Sequence, residues 1–105
     1  MSFSVRLTRE AEDDLLRWVE FLIDQELARD GGNPARADEA PDAIKGGLKL
    51  LERFPFTCRK VGSSPFLREL IIPFASTGYV ALFEIIDSRT VVVAGVRHQR
   101  EDDYH

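Results

Sequence analysis

Residues 78–104 read GYVALFEIIDSRTVVVAGVRHQREDDY, and the fold turns on how this stretch is paired. Two runs rich in Val, Ile and Phe, Tyr79–Ile86 and Val91–His98, flank the polar segment Asp87-Ser88-Arg89-Thr90. β-Branched and aromatic residues suit a pleated, half-buried surface, and a short polar break between two such runs predicts a hairpin. With Asp87 opposite Thr90, Glu84 falls against Val93, Val80 against Arg97 and Tyr79 against His98. Side chains alternate across a strand. Tyr79, Ala81, Phe83 and Ile85 then share an apolar face with Val92, Ala94 and Val96, and that face is expected to take the helices. Val80, Leu82, Glu84 and Arg97 are expected on the other, more exposed face. A slip of one residue exchanges the two assignments.

Working outward, Leu67–Ile72 is a further strand, ended by Pro73, with a turn at Ala75–Gly78. Thr57–Pro65 reads as a connecting loop. At the other end of the chain, Phe3, Val5 and Leu7 alternate as a short strand. Thr8 is a suitable helix N-cap, and Glu10, Glu12, Asp13 and Asp14 follow where the positive end of a helix dipole favours carboxylates. Ala11, Leu15, Trp18, Val19 and Leu22 form one apolar stripe, so a helix is predicted over Arg9–Ala28. Asp30-Gly31-Gly32-Asn33-Pro34 breaks it. A second helix, firm from about Asp38, carries Ile44, Leu48 and Leu51 on one side and stops at Phe54-Pro55. Gly46 and Gly47 are expected to let the two helices approach closely. The order strand, helix, helix, then three antiparallel strands is an α+β arrangement in which a helical hairpin covers one face of a small sheet.

The chain has 105 residues, 44% of them apolar and 30% charged. That is ordinary globular composition, and the length suits one domain over residues 1–105. No apolar run is long enough for a membrane span, and the start MSFSVRL has no signal-peptide core, so a cytoplasmic location without membrane association is expected. Cys58 is the one cysteine and can form no internal disulfide, which suits a reducing compartment. Net charge is −4, but residues 1–40 carry five Arg against ten Asp and Glu, whereas residues 41–100 carry nine Lys and Arg against five. An acidic front and a basic back argue against a mainly phosphate-binding protein while leaving room for a local cationic surface.

Metal-ligand spacing and a Gly-rich phosphate loop are both missing from the sequence, so neither a metal nor a cofactor is expected. The candidate chemistry lies in the tail. His98 suits general acid–base work near neutral pH, Arg97 and Arg100 suit a phosphate or a developing negative charge, and Tyr104 suits stacking or proton donation. The same residues also read as a solvated strand end with local ion pairs.

The chain resembles the RelE/ParE superfamily of bacterial type II toxin–antitoxin toxins, through VRLTREAEDDLLRWVEFL at residues 5–22, LRELIIPF at residues 67–74 and the C-terminal stretch quoted above. The resemblance implies a compact sheet with a helical hairpin and a cytoplasmic toxin neutralised by a cognate antitoxin encoded in the same operon. It implies antitoxin contacts at Arg17, Phe21 and Arg53, and target contacts at Arg68, Arg97 and Arg100. One branch of the superfamily poisons DNA gyrase without nuclease residues. The other cleaves mRNA on the 70S ribosome. If this chain were a nuclease, the resemblance implies Arg97, His98, Arg100 and Tyr104 as its catalytic set. Where such nucleases carry an Arg after the Gly-Tyr that opens a strand, this chain has Val80, and Leu70, Ile71 and Ile72 replace basic residues on the strand before. Losing one cationic donor from a site that stabilises extra negative charge typically costs about 10²–10³ in rate. The gyrase branch is therefore expected ahead of the nuclease branch, with an inactive antitoxin-binding module as a further alternative.

Overall fold

Thr8 starts the first helix as an N-cap, its Oγ1 accepting the Ala11 N–H at 3.1 Å. In the structure, a computed structural model, residues 2–28, 31–32, 39–74 and 77–99 are described. They form β1 (Ser4–Leu7), α1 (Arg9–Ala28), α2 (Glu39–Leu50), a 3₁₀ turn (Pro55–Thr57), β2 (Arg59–Val61), β3 (Ser64–Phe74), β4 (Thr77–Ile85) and β5 (Thr90–His98). The sheet has five strands in the order β1-β5-β4-β3-β2. β1 pairs parallel to β5, and the other neighbours pair antiparallel. The α+β class matches the sequence reading and the element order roughly does, but the expected loop Thr57–Pro65 contains β2 and the start of β3. The sheet is larger than the three antiparallel strands expected, because β1 joins one edge and β2 the other.

β2 is the element the sequence concealed. Arg59-Lys60-Val61 has almost no apolar alternation to mark it, and it exists because Arg59 and Lys60 pair with Glu69 and Arg68 of β3. The hairpin turn between them uses Gly62 at φ 67°, a left-handed conformation that suits glycine. β3 also runs past Pro73 to Phe74, and β4 already begins at Thr77, inside the expected turn. Pro73 is tolerated because β2 pairs no further along β3 than Glu69, so that edge of β3 needs no N–H there.

The β4–β5 pairing starts as expected, with Tyr79 opposite His98 and Val80 opposite Arg97. It then slips. Leu82 faces Gly95 but Phe83 faces Val93, so Ala94 is an extra residue on β5, Glu84 meets Val92 rather than Val93, and Ile86, not Asp87, lies against Thr90. The bulge corrects the expected face. Val91 and Val93, not Val92 and Ala94, join Val96 in the core beneath the helices. With them lie Tyr79, Ala81, Phe83 and Ile85 of β4, Leu70 and Ile72 of β3, Ala11 and Trp18 of α1, and Ile44, Leu48 and Leu51 of α2.

Past the end of β1, backbone groups on the outer edge of β5 have no strand to pair with. Residues at the start of α1 satisfy them. The Thr8 N–H donates to the Val93 carbonyl at 2.9 Å and the Thr8 hydroxyl to the Ala94 carbonyl at 3.2 Å. The Val96 N–H donates to the Asp14 carboxylate at 2.9 Å, and Trp18 Nε1 donates to the Val96 carbonyl at 3.2 Å. α1 thus lies along β5 and takes the place of a further strand for these four groups. α2 packs elsewhere than expected. A Cβ on Gly47 would stand 2.9 Å from Ile72 Cγ1, whereas one on Gly46 would meet open space. Gly47 therefore admits the sheet, not the other helix.

Candidate functional site

The sheet's two faces divide the candidate residues. Arg97 and His98 are consecutive on β5, so their side chains leave on opposite sides. His98 goes to the helix side. Its ring lies 5.6 Å from the Trp18 ring and 5.6 Å from the Tyr79 ring, with Trp18 and Tyr79 5.5 Å apart. Burial pushes the Tyr79 hydroxyl above its ordinary value. Trp18 also carries the Arg17 guanidinium 4.6 Å from its ring centroid and the Phe21 ring edge-on at 5.8 Å. Arg17 reaches the Asp14 carboxylate at 3.6 Å, and Phe21 is 45% exposed. Arg17 and Phe21 therefore flank Trp18 on one stretch of α1, over the end of the sheet where β5 finishes.

Arg97 goes to the open side. Its guanidinium reaches Glu69 of β3 at 3.7 Å, and Glu69 is bound by Arg59 of β2 at 2.8 Å. The three residues form a charged row across β5, β4, β3 and β2. Val80, directly opposite Arg97 on this side, is only 1% exposed, which corrects the expectation of an exposed valine. The Arg97 side chain reaches across β4 toward Glu69, so it shelters the residues beneath it.

Arg68 corrects a second expectation. It is buried on the helix side, and its guanidinium donates to three carbonyls: Pro65 at 2.7 Å, Phe56 at 2.8 Å and Cys58 at 2.7 Å. It also stands 5.3 Å from the Phe56 ring centroid. Arg68 fastens the 3₁₀ turn to β3 and is not presented to a target. Cys58 lies beside it, and burial raises its thiol pKa against the opposing pull of Arg68. A raised value describes packing, not an activated nucleophile.

Arg53 is exposed just past α2, at the end of the molecule where β1 begins, since the neighbouring Glu52 carbonyl accepts the Phe3 N–H. The structure thus brings Arg17 and Phe21 together and sets Arg53 apart from them. Arg100 and Tyr104 lie outside the described residues. Among the described residues, no group of three His, Cys, Asp or Glu could hold a metal ion, and no helix is long and apolar enough to cross a membrane. Sequence reasoning missed the Arg59–Glu69–Arg97 row, because it depends on β2. It also missed Asp14 as a partner of β5, although an acid near the start of the helix, beside an apolar stripe, was visible.

This arrangement defines a class: a small α+β protein whose helices cover one sheet face, with His98 and Arg68 held in packing and Arg97 in an ion pair. The chain matches the model for the ParE toxin of type II toxin–antitoxin system, parDE, over residues 5–103, and it belongs to that family. Its fold is similar to a chain of the solved chromosomal ParDE toxin–antitoxin system from P. aeruginosa, with a TM-score of 0.65 and 19% identity, over 92% of this chain and 96% of that one. No curated protein sequence matches it.

Proposed function

We propose that this chain is a toxin that poisons DNA gyrase by docking and is held inactive by a cognate antitoxin, in the bacterial cytoplasm. The separation of Arg97 from His98 carries the reading. A cleavage site needs a general base and a cationic donor within about 3 Å of the same reacting group. Here the imidazole faces Trp18 and Tyr79, the guanidinium faces Glu69, and the sheet lies between them. Val80 is aliphatic and buried, and Arg68 is bound to backbone carbonyls, so neither adds a donor. The α1 surface around Arg17 and Phe21 suits an amphipathic antitoxin segment, with Phe21 as the apolar anchor and Arg17 as the cation. On the open sheet face Arg97 and the more exposed Arg59 are the described cations that would meet a target.

Purified protein mixed with gyrase and supercoiled plasmid is expected to trap cleaved DNA, and antitoxin is expected to prevent this. Arg97→Ala is expected to weaken trapping, whereas His98→Gln, which keeps a polar planar side chain, is expected to leave it. The reading fails if gyrase is unaffected and mRNA on translating ribosomes is cut instead. It also fails if expression without antitoxin causes no growth arrest.

A further inference from the structure

The end of the molecule opposite Phe21 carries a second aromatic cluster that the toxin reading leaves unused. Phe54, Phe56 and Phe66 are 54%, 50% and 49% exposed. Phe56 stands between Phe66 and Phe3, with ring centroids 6.5 Å away in each case and ring planes inclined at 73° and 64°. Arg68 holds Phe56 in place from beneath, through the Phe56 carbonyl at 2.8 Å and the ring at 5.3 Å. The Thr57 hydroxyl closes the same turn on the Phe54 carbonyl at 2.8 Å. The turn that carries Phe54 and Phe56 is therefore fixed by hydrogen bonds to its carbonyls, yet the rings remain open to solvent, a combination that core packing does not require.

Charge surrounds them unevenly. In a chain of net charge −4, residues 49–60 carry Lys49, Arg53, Arg59 and Lys60 against Glu52 alone. Lys49, Arg53 and Lys60 are exposed. The shape then separates two kinds of anionic partner. Stacked bases need ring faces that lie parallel to them, and steeply inclined rings with Arg68 against one of them offer crevices instead. Crevices between inclined rings receive branched or aromatic side chains, and a cationic rim receives carboxylates.

We infer that Phe54, Phe56 and Phe66 form a docking surface for an acidic protein segment with apolar anchors, separate from the α1 surface around Phe21. Phe56 and Phe66 make the crevice, Phe54 borders it, and Arg53 and Lys60 attract the acidic residues between the anchors. The surface is independent of whether gyrase is the target.

A library of random peptides displayed on phage, selected against the intact protein, tests this. Selected peptides are expected to combine Leu, Phe or Trp with Asp and Glu. Phe54→Ser with Phe66→Ser is expected to weaken their binding about tenfold or more, the effect of removing aromatic anchors. Arg53→Glu with Lys60→Glu, which touches no buried group, is expected to weaken it and to flatten its salt dependence. Phe21→Ala is expected to leave it unchanged. Selection of basic or purely apolar peptides overturns the inference, as does binding that both double variants retain. Tighter binding of an oligo-dT strand would assign the surface to nucleic acid. Self-association abolished by Phe54→Ser with Phe66→Ser would assign it to a second copy.

Discussion

Two aromatic clusters sit at opposite ends of this sheet, and they differ in what covers them. At the end where β5 finishes, Trp18 and Tyr79 are buried and His98 is wedged against both. At the end where β1 begins, Phe54, Phe56 and Phe66 stand half in solvent. The composition is similar, but the first cluster lies under a long helix laid along β5, whereas the second lies beyond the last turn of α2, beside the short edge strand β2. An aromatic residue is core only where a neighbouring element extends over it. The covered cluster should hold the fold together, and the open one should be dispensable to it.

The largest effect should come from Trp18→Ala, which removes a buried ring and leaves the Val96 carbonyl without its indole donor. A cost of about 3–5 kcal/mol is expected in chemical denaturation, against under about 0.5 kcal/mol for Phe54→Ser. Equal costs would break the comparison. Arg68→Met keeps much of the stem but abandons three carbonyls, and should cost about 2–3 kcal/mol. Greater hydrogen exchange is expected in Arg59–Val61 than in β5, because the turn and β2 lose their fastening.

Asp14→Ala leaves the buried Val96 N–H without an acceptor, and about 1–3 kcal/mol is expected in the same denaturation assay. Its exchange signature should appear at Val96, the opposite end from the Arg68 variant. The two α2 glycines should diverge in sign. Gly46→Ala meets open space and should stabilise by up to about 1 kcal/mol, whereas Gly47→Ala presses on Ile72 and should gain less or destabilise. The smallest effect is a pH dependence. Burial raises the Tyr79 pKa above its ordinary 10.0, so the folded state favours the neutral phenol. Its contribution is whole below about pH 10 and is lost as pH rises through the folded value, because the unfolded chain ionises first. Thermal melts across the alkaline range should fall less steeply for Tyr79→Phe.

Much of the architecture was legible in the chain. The Thr8 cap, the stripe from Ala11 to Leu22 and the runs around Phe83 and Val93 each carry a local signal with a fixed period. Less of the candidate site was legible. Arg68 reads as an ordinary strand cation until the 3₁₀ turn brings the Phe56 and Cys58 carbonyls to it. Arg59, Glu69 and Arg97 are far apart in sequence and meet only because β2, β3 and β5 lie in one sheet.

By itself, the sequence determined the order of the main elements and the α+β class, because local propensity and alternation encode these; the expected pairs Tyr79–His98 and Val80–Arg97 agree with the structure only because the bulge offsets a one-residue error at the turn. Tertiary structure decided the bulge at Ala94, the burial of Val80 and Arg68, and which aromatic residues stay in solvent. Alternation counts residues along one strand and cannot register an extra one. Nor can it register that Thr8, Asp14 and Trp18 arrive from another element to meet the outer backbone groups of β5 that β1 does not reach.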